Sequence, residues 1–276
     1  MNINKLYQKK LGKTLIDGDV ITTRGSKVHS NITLKPAIIT SFPLVTTRKT
    51  AWKKAIREME WFMSGKSECP EPLLDWWKGQ LDPENFYLDG YSRQLRSYGL
   101  NAFDQIAYVL HGLKNNPNSR RLIITTWESY SMARITNTNN NTQTPTCCHA
   151  TMLQFFVRDG KLIMNHYQRS ADMLLGLPHN WVQYWALLLY LAQHSGLIPG
   201  WIRWDLGDAH IYGDESHMHT AMAIIDAEPL SNACDLVYSY SGGVDSYGTP
   251  EFKVDDFTVT GEIPEPIVTK RPLLIA

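Results

Sequence analysis

Net charge is the first thing this chain lacks. Its 27 Lys and Arg are matched by 27 Asp and Glu, so no long-range field draws it onto a polyanion or an anionic membrane. Any nucleotide it binds is then small and held by local arginines. Cysteine is scarce: the four in 276 residues (Cys69, Cys147, Cys148, Cys234), two of them adjacent, make no disulfide framework and match no zinc spacing. A reducing, cytoplasmic compartment is the expectation. Long apolar runs are missing too. No Asp, Glu, Lys or Arg occurs from Met173 to Ile202, but His179, Asn180, Gln183, Gln193 and His194 interrupt that stretch, and the unbroken run from Tyr184 to Ala192 is too short to span a bilayer. The opening MNINKLYQKKLGK has no signal-peptide core. Aromatic residues are plentiful: nine tryptophans and an aromatic share of 11% point to a compact globular enzyme or binding protein.

Hydrophobic periodicity predicts an amphipathic helix over 50–63, where Trp52, Ala55, Ile56, Met59, Phe62 and Met63 share a face and Gly65 stops the run. A second helix is expected over 103–113, ended by Asn115, Asn116 and Pro117. A third, over 181–194, is apolar all round, as suits a helix buried at the centre of a fold, with Gly196 to cap it. Strands are expected at 122–127, 151–157, 161–168, 201–212 and 257–260, with Asp159-Gly160 turning a hairpin. The polar stretches 136–144 and 239–250 read as loops. Helices and strands mix without regular βαβ alternation, so the fold class is α+β: one domain, 1–276, with a mixed β-sheet and packed helices.

Three segments place reactive and polar groups where a plain core would place Leu or Val: TPTCCHA (144–150), QRSADMLLGLPHN (168–180) and GDAHIY (207–212). A reactive cysteine needs a cation to hold its thiolate, and Arg169 is available to Cys148. From the residues alone Cys148, beside His149, is either a nucleophile or a small buried hydrophobe. The run Ser241-Gly242-Gly243-Val244-Asp245-Ser246 spells a pyrophosphate cradle, which needs a helix N-terminus directly after it; Gly248-Thr249-Pro250 argues against one.

Taken together, the segments resemble the thymidylate synthase family, whose signatures are a Cys-His at a strand start, an RSxDxxLGxPxN segment and a GDxHxY segment. Here they stand as Cys148-His149, Arg169-Ser170-Ala171-Asp172 through Gly176-Leu177-Pro178-His179-Asn180, and Gly207-Asp208-Ala209-His210-Ile211-Tyr212. Arg24, Glu58, Tyr91, Ser119-Arg120-Arg121 and a short apolar tail ending at Ala276 follow in the family's order. The resemblance covers nearly the whole chain.

It implies a one-carbon transfer from 5,10-methylenetetrahydrofolate to C5 of dUMP. Cys148 is expected to add to C6, which makes C5 an enolate carbon and so a nucleophile. Tyr91, His149 and Arg169 belong to that catalytic group, and Glu58 is expected to order water and move protons. Asn180 is expected to read the pyrimidine edge, its oxygen accepting from N3–H and its NH2 donating to O4; a flipped amide matches cytosine instead, and only its neighbours fix the orientation. Related hydroxymethylases that act on dCMP carry Asp there, so Asn180 favours dUMP. Arg24, Arg169 and Ser170, joined by Arg120 and Arg121 from the partner of a homodimer, suit the phosphate. His210 and Tyr212, two apart on a strand, suit the sugar hydroxyl. Trp77, Asp172, Leu175, Gly176, His179 and Ala276 are the expected folate contacts. No metal is expected.

The chain also departs from the family's pattern. Five residues, not four, separate Cys148 from Gln154, an insertion that a β-bulge would absorb and that keeps Cys147 open as the nucleophile. His179 replaces an aromatic against the folate, and Gln80 stands where a tryptophan is expected after Trp76-Trp77. A more polar folate wall favours water over hydride in the last step. The expectation is therefore a dUMP hydroxymethylase of the sort viruses use to make modified DNA, acting in the cytoplasm of the host, with thymidylate synthase as the alternative. A dead, nucleotide- or RNA-binding relative is disfavoured by the intact Cys148, Glu58, Arg169 and Asn180 and by the neutral charge.

Overall fold

A computed structural model describes residues 2–23, 26–78, 80–87, 89–129, 148–228 and 233–268. Arg24, Cys147, the loop at 136–144 and the tail ending at Ala276 lie outside these. The chain opens with α1 (Ile3–Asp17), which Asn2 starts by accepting a hydrogen bond from the Lys5 N–H. The hairpin of β1 (Asp19–Thr23) and β2 (Ser26–Ile39) follows. Next come α2 (Trp52–Ser64), the short α3 (Leu74–Trp77) and α4 (Tyr91–Arg96), and then α5 (Gln105–Asn115). The second half runs through β3 (Ile123–Ile124), β4 (Met152–Arg158), β5 (Lys161–Asp172), α6 (Leu177–His194), β6 (Ile198–Tyr212), α7 (Glu215–Asp226), β7 (Ala233–Tyr238) and β8 (Phe257–Glu262).

The main sheet has strand order β1-β2-β6-β5-β4-β3, and β7 and β8 form a separate ribbon. This is the mixed, α+β architecture expected. Every neighbouring pair in the main sheet is antiparallel except β5 and β6, which run parallel with α6 as their crossover. That one unit places the site: the ends of β5 and β6 lie side by side, with the first turn of α6 close by. Gln168, Asp172 and Asn180 are thereby brought to one place, and Asp172 pairs in register with His210.

Helix α6 is the buried central helix. Trp181, Val182, Ala186, Leu187, Leu188, Tyr190, Leu191 and Ala192 are fully shielded, and each large apolar side chain so buried contributes about 1.5–3 kcal/mol. It begins four residues before the expected Trp181, because Pro178 suits a first turn, where its missing N–H costs nothing. Helix α2 begins later than its periodicity suggests: the Thr50 hydroxyl bonds the Val45 carbonyl and the Ala51 N–H is taken by His179, so neither residue enters the helix. Gly65 ends it in the left-handed conformation, at φ +74°.

Two expectations about strands are corrected. Of 122–127 only Ile123–Ile124 joins the ladder, since the Gln105 side chain takes both the N–H and the carbonyl of Thr125. The extra residue after Cys148 makes no β-bulge: β4 pairs with β5 in unbroken register, and Ala150, at φ +48°, turns the chain just before the strand. Helices α1 and α7 escape the sequence reading because buried polar groups break their apolar pattern. In α1 these are Asn4, Gln8 and Lys10, and in α7 His217 and Thr220.

The stretch at 241–253 holds no helix, as expected. Asp245 accepts from the Tyr247 and Thr249 N–H groups and pairs with the fully buried Arg96, which also meets Asp104. Asp245 is thus spent on the chain's own backbone and on Arg96, so the loop, mostly exposed apart from Thr249, is tied down as structure and has no helix N-terminus with which to cradle a phosphate.

Candidate active site

Cys148 sits just ahead of β4, held by the neighbouring strand: the Arg169 N–H donates to its carbonyl at 2.9 Å. The Tyr91 hydroxyl accepts from the Cys148 N–H at 2.7 Å and from the His149 N–H at 3.2 Å, and lies 3.4 Å from the Cys148 sulfur. Both oxygen lone pairs are taken by backbone donors, so the phenolic proton points at the thiol. Burial pushes the Cys148 pKa up, against the Tyr91 hydrogen bond and the Arg169 charge, which favour the thiolate. The group is a protonated thiol at rest, with a donor and a cation in place for the anion that forms as it attacks.

Tyr91 in turn is clamped by rings. His149 stacks on it at 4.1 Å and Phe62, from α2, at 4.5 Å. Burial lowers the His149 pKa to about 3, so its imidazole is neutral at working pH, and its Nδ1 lies 2.6 Å from the Tyr184 hydroxyl. Its position suits it to fix Tyr91 rather than to carry a proton. Replacing Tyr91 by Phe removes one donor to sulfur and strands two backbone N–H groups, each costing about 1–3 kcal/mol. The expected result is a less stable protein whose Cys148 alkylates with an iodoacetamide pH profile moved to higher pH; an unmoved profile would show that Tyr91 does not tune the thiol.

Glu58 lies on the buried side of α2, where Trp77 Nε1 and Gln183 Nε2 each donate to one of its carboxylate oxygens. Burial raises its pKa to about 7, although both hydrogen bonds favour the ion. A carboxyl balanced there both takes and returns protons near neutral pH. Gln183 continues the row, its Oε1 accepting from Asn180 Nδ2 at 3.0 Å, and Gln168 Nε2 donates to Asn180 Oδ1 at 3.2 Å. Asn180, between Gln168 on β5 and Gln183 on α6, is therefore held at both ends of its amide.

Of the residues expected to contact folate, Asp172, Leu175, Gly176 and His179 gather at the first turn of α6. Asp172 Oδ1 accepts from the Leu174 and Leu175 N–H groups at 2.8 and 3.0 Å. Trp76 meets the His179 ring edge-on at 4.8 Å. His179 Nδ1 lies 2.7 Å from the Leu175 carbonyl and Nε2 accepts from the Ala51 N–H at 3.2 Å, so its ring is buried and neutral and both nitrogens are satisfied by backbone. The polarity expected of it is spent inside the protein. Flat aromatic faces beside a fixed carboxylate fit a pterin, which offers a planar ring and N–H donors.

At the ends of the parallel strands, Ser170 Oγ lies 3.5 Å from His210 Nδ1, and the His210 and Tyr212 rings are 5.3 Å apart, on one strand face as their spacing requires. The Arg169 guanidinium lies over Trp127 at 5.6 Å. Arg120 and Arg121 stand elsewhere, exposed at the start of edge strand β3.

A family model for thymidylate synthase matches residues 8–270. The chain belongs to the thymidylate synthase family. A thymidylate synthase of Corynebacterium aurimucosum is 34% identical over 234 residues, which cover 83% of this chain and 81% of that protein. Members of the thymidylate synthase family use 5,10-methylenetetrahydrofolate as cosubstrate, and this chain is a C5 methyltransferase-type enzyme of that family. No described helix is long and apolar enough to cross a membrane.

Two residues of the site escape the sequence reading as functional. Gln183 stood out there only as a polar break in an apolar run; its signal is that it lies one helical turn after Asn180, on the same face. Gln168 opens a motif whose charged members draw attention away from it.

Proposed function

We propose that the chain transfers a one-carbon unit to C5 of dUMP through a covalent bond between Cys148 and C6, and that water completes the reaction to give 5-hydroxymethyl-dUMP. The observation that carries this reading is the hydrogen-bonded row Gln168–Asn180–Gln183–Glu58–Trp77, which links the amide of Asn180 to the Glu58 carboxyl, whose pKa is about 7. Thiolate addition at C6 sends electrons to O4, and C5 takes up the one-carbon unit that 5,10-methylenetetrahydrofolate supplies. Loss of the C5 proton, with cleavage of the bond between the one-carbon unit and the folate nitrogen, releases tetrahydrofolate and leaves an exocyclic methylene. Water adds at that carbon, Glu58 takes its proton, and the sulfur departs from C6.

Arg24, Arg169 and Ser170 would hold the phosphate, joined by Arg120 and Arg121 of the partner subunit in a homodimer. Two features support a dimer. The outer sheet face stays exposed at Ile38, Ile123, Met152 and Tyr167, and Arg120 and Arg121 flank that face at its edge, where a second copy packed sheet to sheet would receive them. His210 and Tyr212 would bind the sugar. Trp77, Asp172, Leu175, Gly176 and His179 would line the folate site, with Ala276 closing it. The whole of 1–276 would act as one catalytic domain in the cytoplasm, where a virus-encoded copy would meet the host's nucleotides.

A second reading, thymidylate synthase with hydride as the last reactant, is favoured by His179: with both nitrogens satisfied, it leaves the folate wall drier than its polar ring suggests. One assay decides between them. In H2¹⁸O, with dihydrofolate followed by absorbance and the nucleotide by mass, the expected product is ¹⁸O-labelled 5-hydroxymethyl-dUMP with tetrahydrofolate regenerated. Stoichiometric dihydrofolate with unlabelled dTMP would overturn the water reading and leave the covalent transfer standing.

A further inference from the structure

A primary amide looks nearly the same turned over, yet Asn180 reads opposite bases in its two orientations. Uracil offers a donor at N3 and an acceptor at O4; cytosine offers an acceptor at N3 and a donor at N4. The two ends of the buried row settle which orientation is held. At one end Gln168 Nε2 donates at 2.9 Å to the Ser170 carbonyl, which only accepts, so Gln168 presents its NH2 and Asn180 must turn its oxygen that way. At the other end the Trp77 indole, a donor only, takes Glu58 Oε1, and in the ionised carboxylate Oε2 has no proton to give and accepts from Gln183 Nε2. The Gln183 amide is then polarised, with its oxygen left to receive Asn180 Nδ2.

We propose that Gln183 is a specificity-determining positioning residue, which locks the Asn180 amide in its uracil-reading orientation and ties that orientation to the Glu58 carboxylate. The proposal rests on dUMP being the substrate. Reading cytosine would require Asn180 to turn over. Its oxygen would then meet the Gln183 oxygen unless Gln183 turned too, and a turned Gln183 sets its carbonyl against the Glu58 anion. Gln183 has no solvent to relieve either conflict, being fully buried. A Gln183 that merely filled space would carry no such polarity from one end of the row to the other.

The test compares kcat/KM for dUMP and dCMP, and the pH profile of kcat, in the full-length enzyme and in Gln183→Met and Gln183→Glu. Met keeps the bulk and removes both hydrogen bonds. Its preference for dUMP is expected to fall by about tenfold or more, and the acid limb of kcat to move to higher pH, since a donor to the Glu58 anion is gone. Glu keeps the acceptor for Asn180 but loses the amide donor to Glu58, so the preference is expected to stay near the wild-type value while the limb still moves. An unchanged preference in Gln183→Met, or an equal loss in Gln183→Glu, overturns the proposal. Should Gln183→Met fail to fold, Gln183→Glu decides alone: an unmoved limb or a lost preference overturns it. Wild-type enzyme that leaves dUMP untouched would instead overturn the substrate assignment, and the role of Gln183 with it.

Discussion

Replacing Cys148 by Ala is expected to lower turnover of dUMP by about 10⁴-fold or more, the scale seen when a covalent nucleophile is removed, while Cys147→Ala leaves it near the wild-type rate. Without the C6 adduct, C5 of the pyrimidine keeps its electrons in the ring and has nothing to offer an incoming one-carbon unit. Among the described residues, aids to a thiolate gather at Cys148: the Tyr91 hydroxyl oxygen 3.4 Å from its sulfur, the Arg169 charge, and bonds from its N–H to the Tyr91 hydroxyl and from the Arg169 N–H to its carbonyl that fix the residue itself. The deciding measurement uses 5-fluoro-dUMP with 5,10-methylenetetrahydrofolate. Fluorine cannot leave C5 as the proton does, so the adduct stops with protein, nucleotide and folate joined, and denaturing mass spectrometry counts it. An adduct that persists in Cys148→Ala and is lost in Cys147→Ala would transfer the role to Cys147.

The legible parts of the fold were those written in local pattern. The apolar belt of α6 and the Asp159-Gly160 turn need only neighbouring residues to be read. The site was legible in a different way, through motifs whose members lie far apart in the chain and meet because α6 carries β5 back to run parallel with β6. What sequence did not carry is the pairing of polar groups across that distance. Taken alone, without the family resemblance, Glu58 reads as one more acid on a helix face, and that Trp77 and Gln183 enclose it is seen only in the fold. His179 reads as a polar intrusion on the folate wall until its nitrogens are found on the Leu175 carbonyl and the Ala51 N–H. Pairing depends on tertiary distance, so no period in the chain encodes it.

Glu58 yields the second large effect, and one in which stability and activity move in opposite directions. Its folded pKa of about 7 stands above the ordinary 4.5, so the folded protein binds that proton more tightly than the unfolded chain does. Stability is therefore highest below the unfolded value and is lost as pH rises from 4.5 through about 7. At about 1.4 kcal/mol per pH unit, the loss is on the order of 3 kcal/mol. Glu58→Gln cannot ionise and escapes this loss. It does set its NH2 against one of two donors, Trp77 or Gln183, at a fixed cost independent of pH. The expected result is thus a difference in slope: in urea melts the gap between Glu58→Gln and wild type moves in favour of the variant by on the order of 3 kcal/mol between about pH 4.5 and pH 8. Parallel curves would mean that the carboxyl titrates alike in both states. Activity runs the other way. Only the ionised carboxylate takes a proton from the reacting water, so wild-type kcat should climb through about pH 7, whereas Glu58→Gln should lose that limb and fall by about 10²–10⁴ in kcat. A Glu58→Gln variant that kept both its rate and its acid limb would remove Glu58 from the proton path altogether.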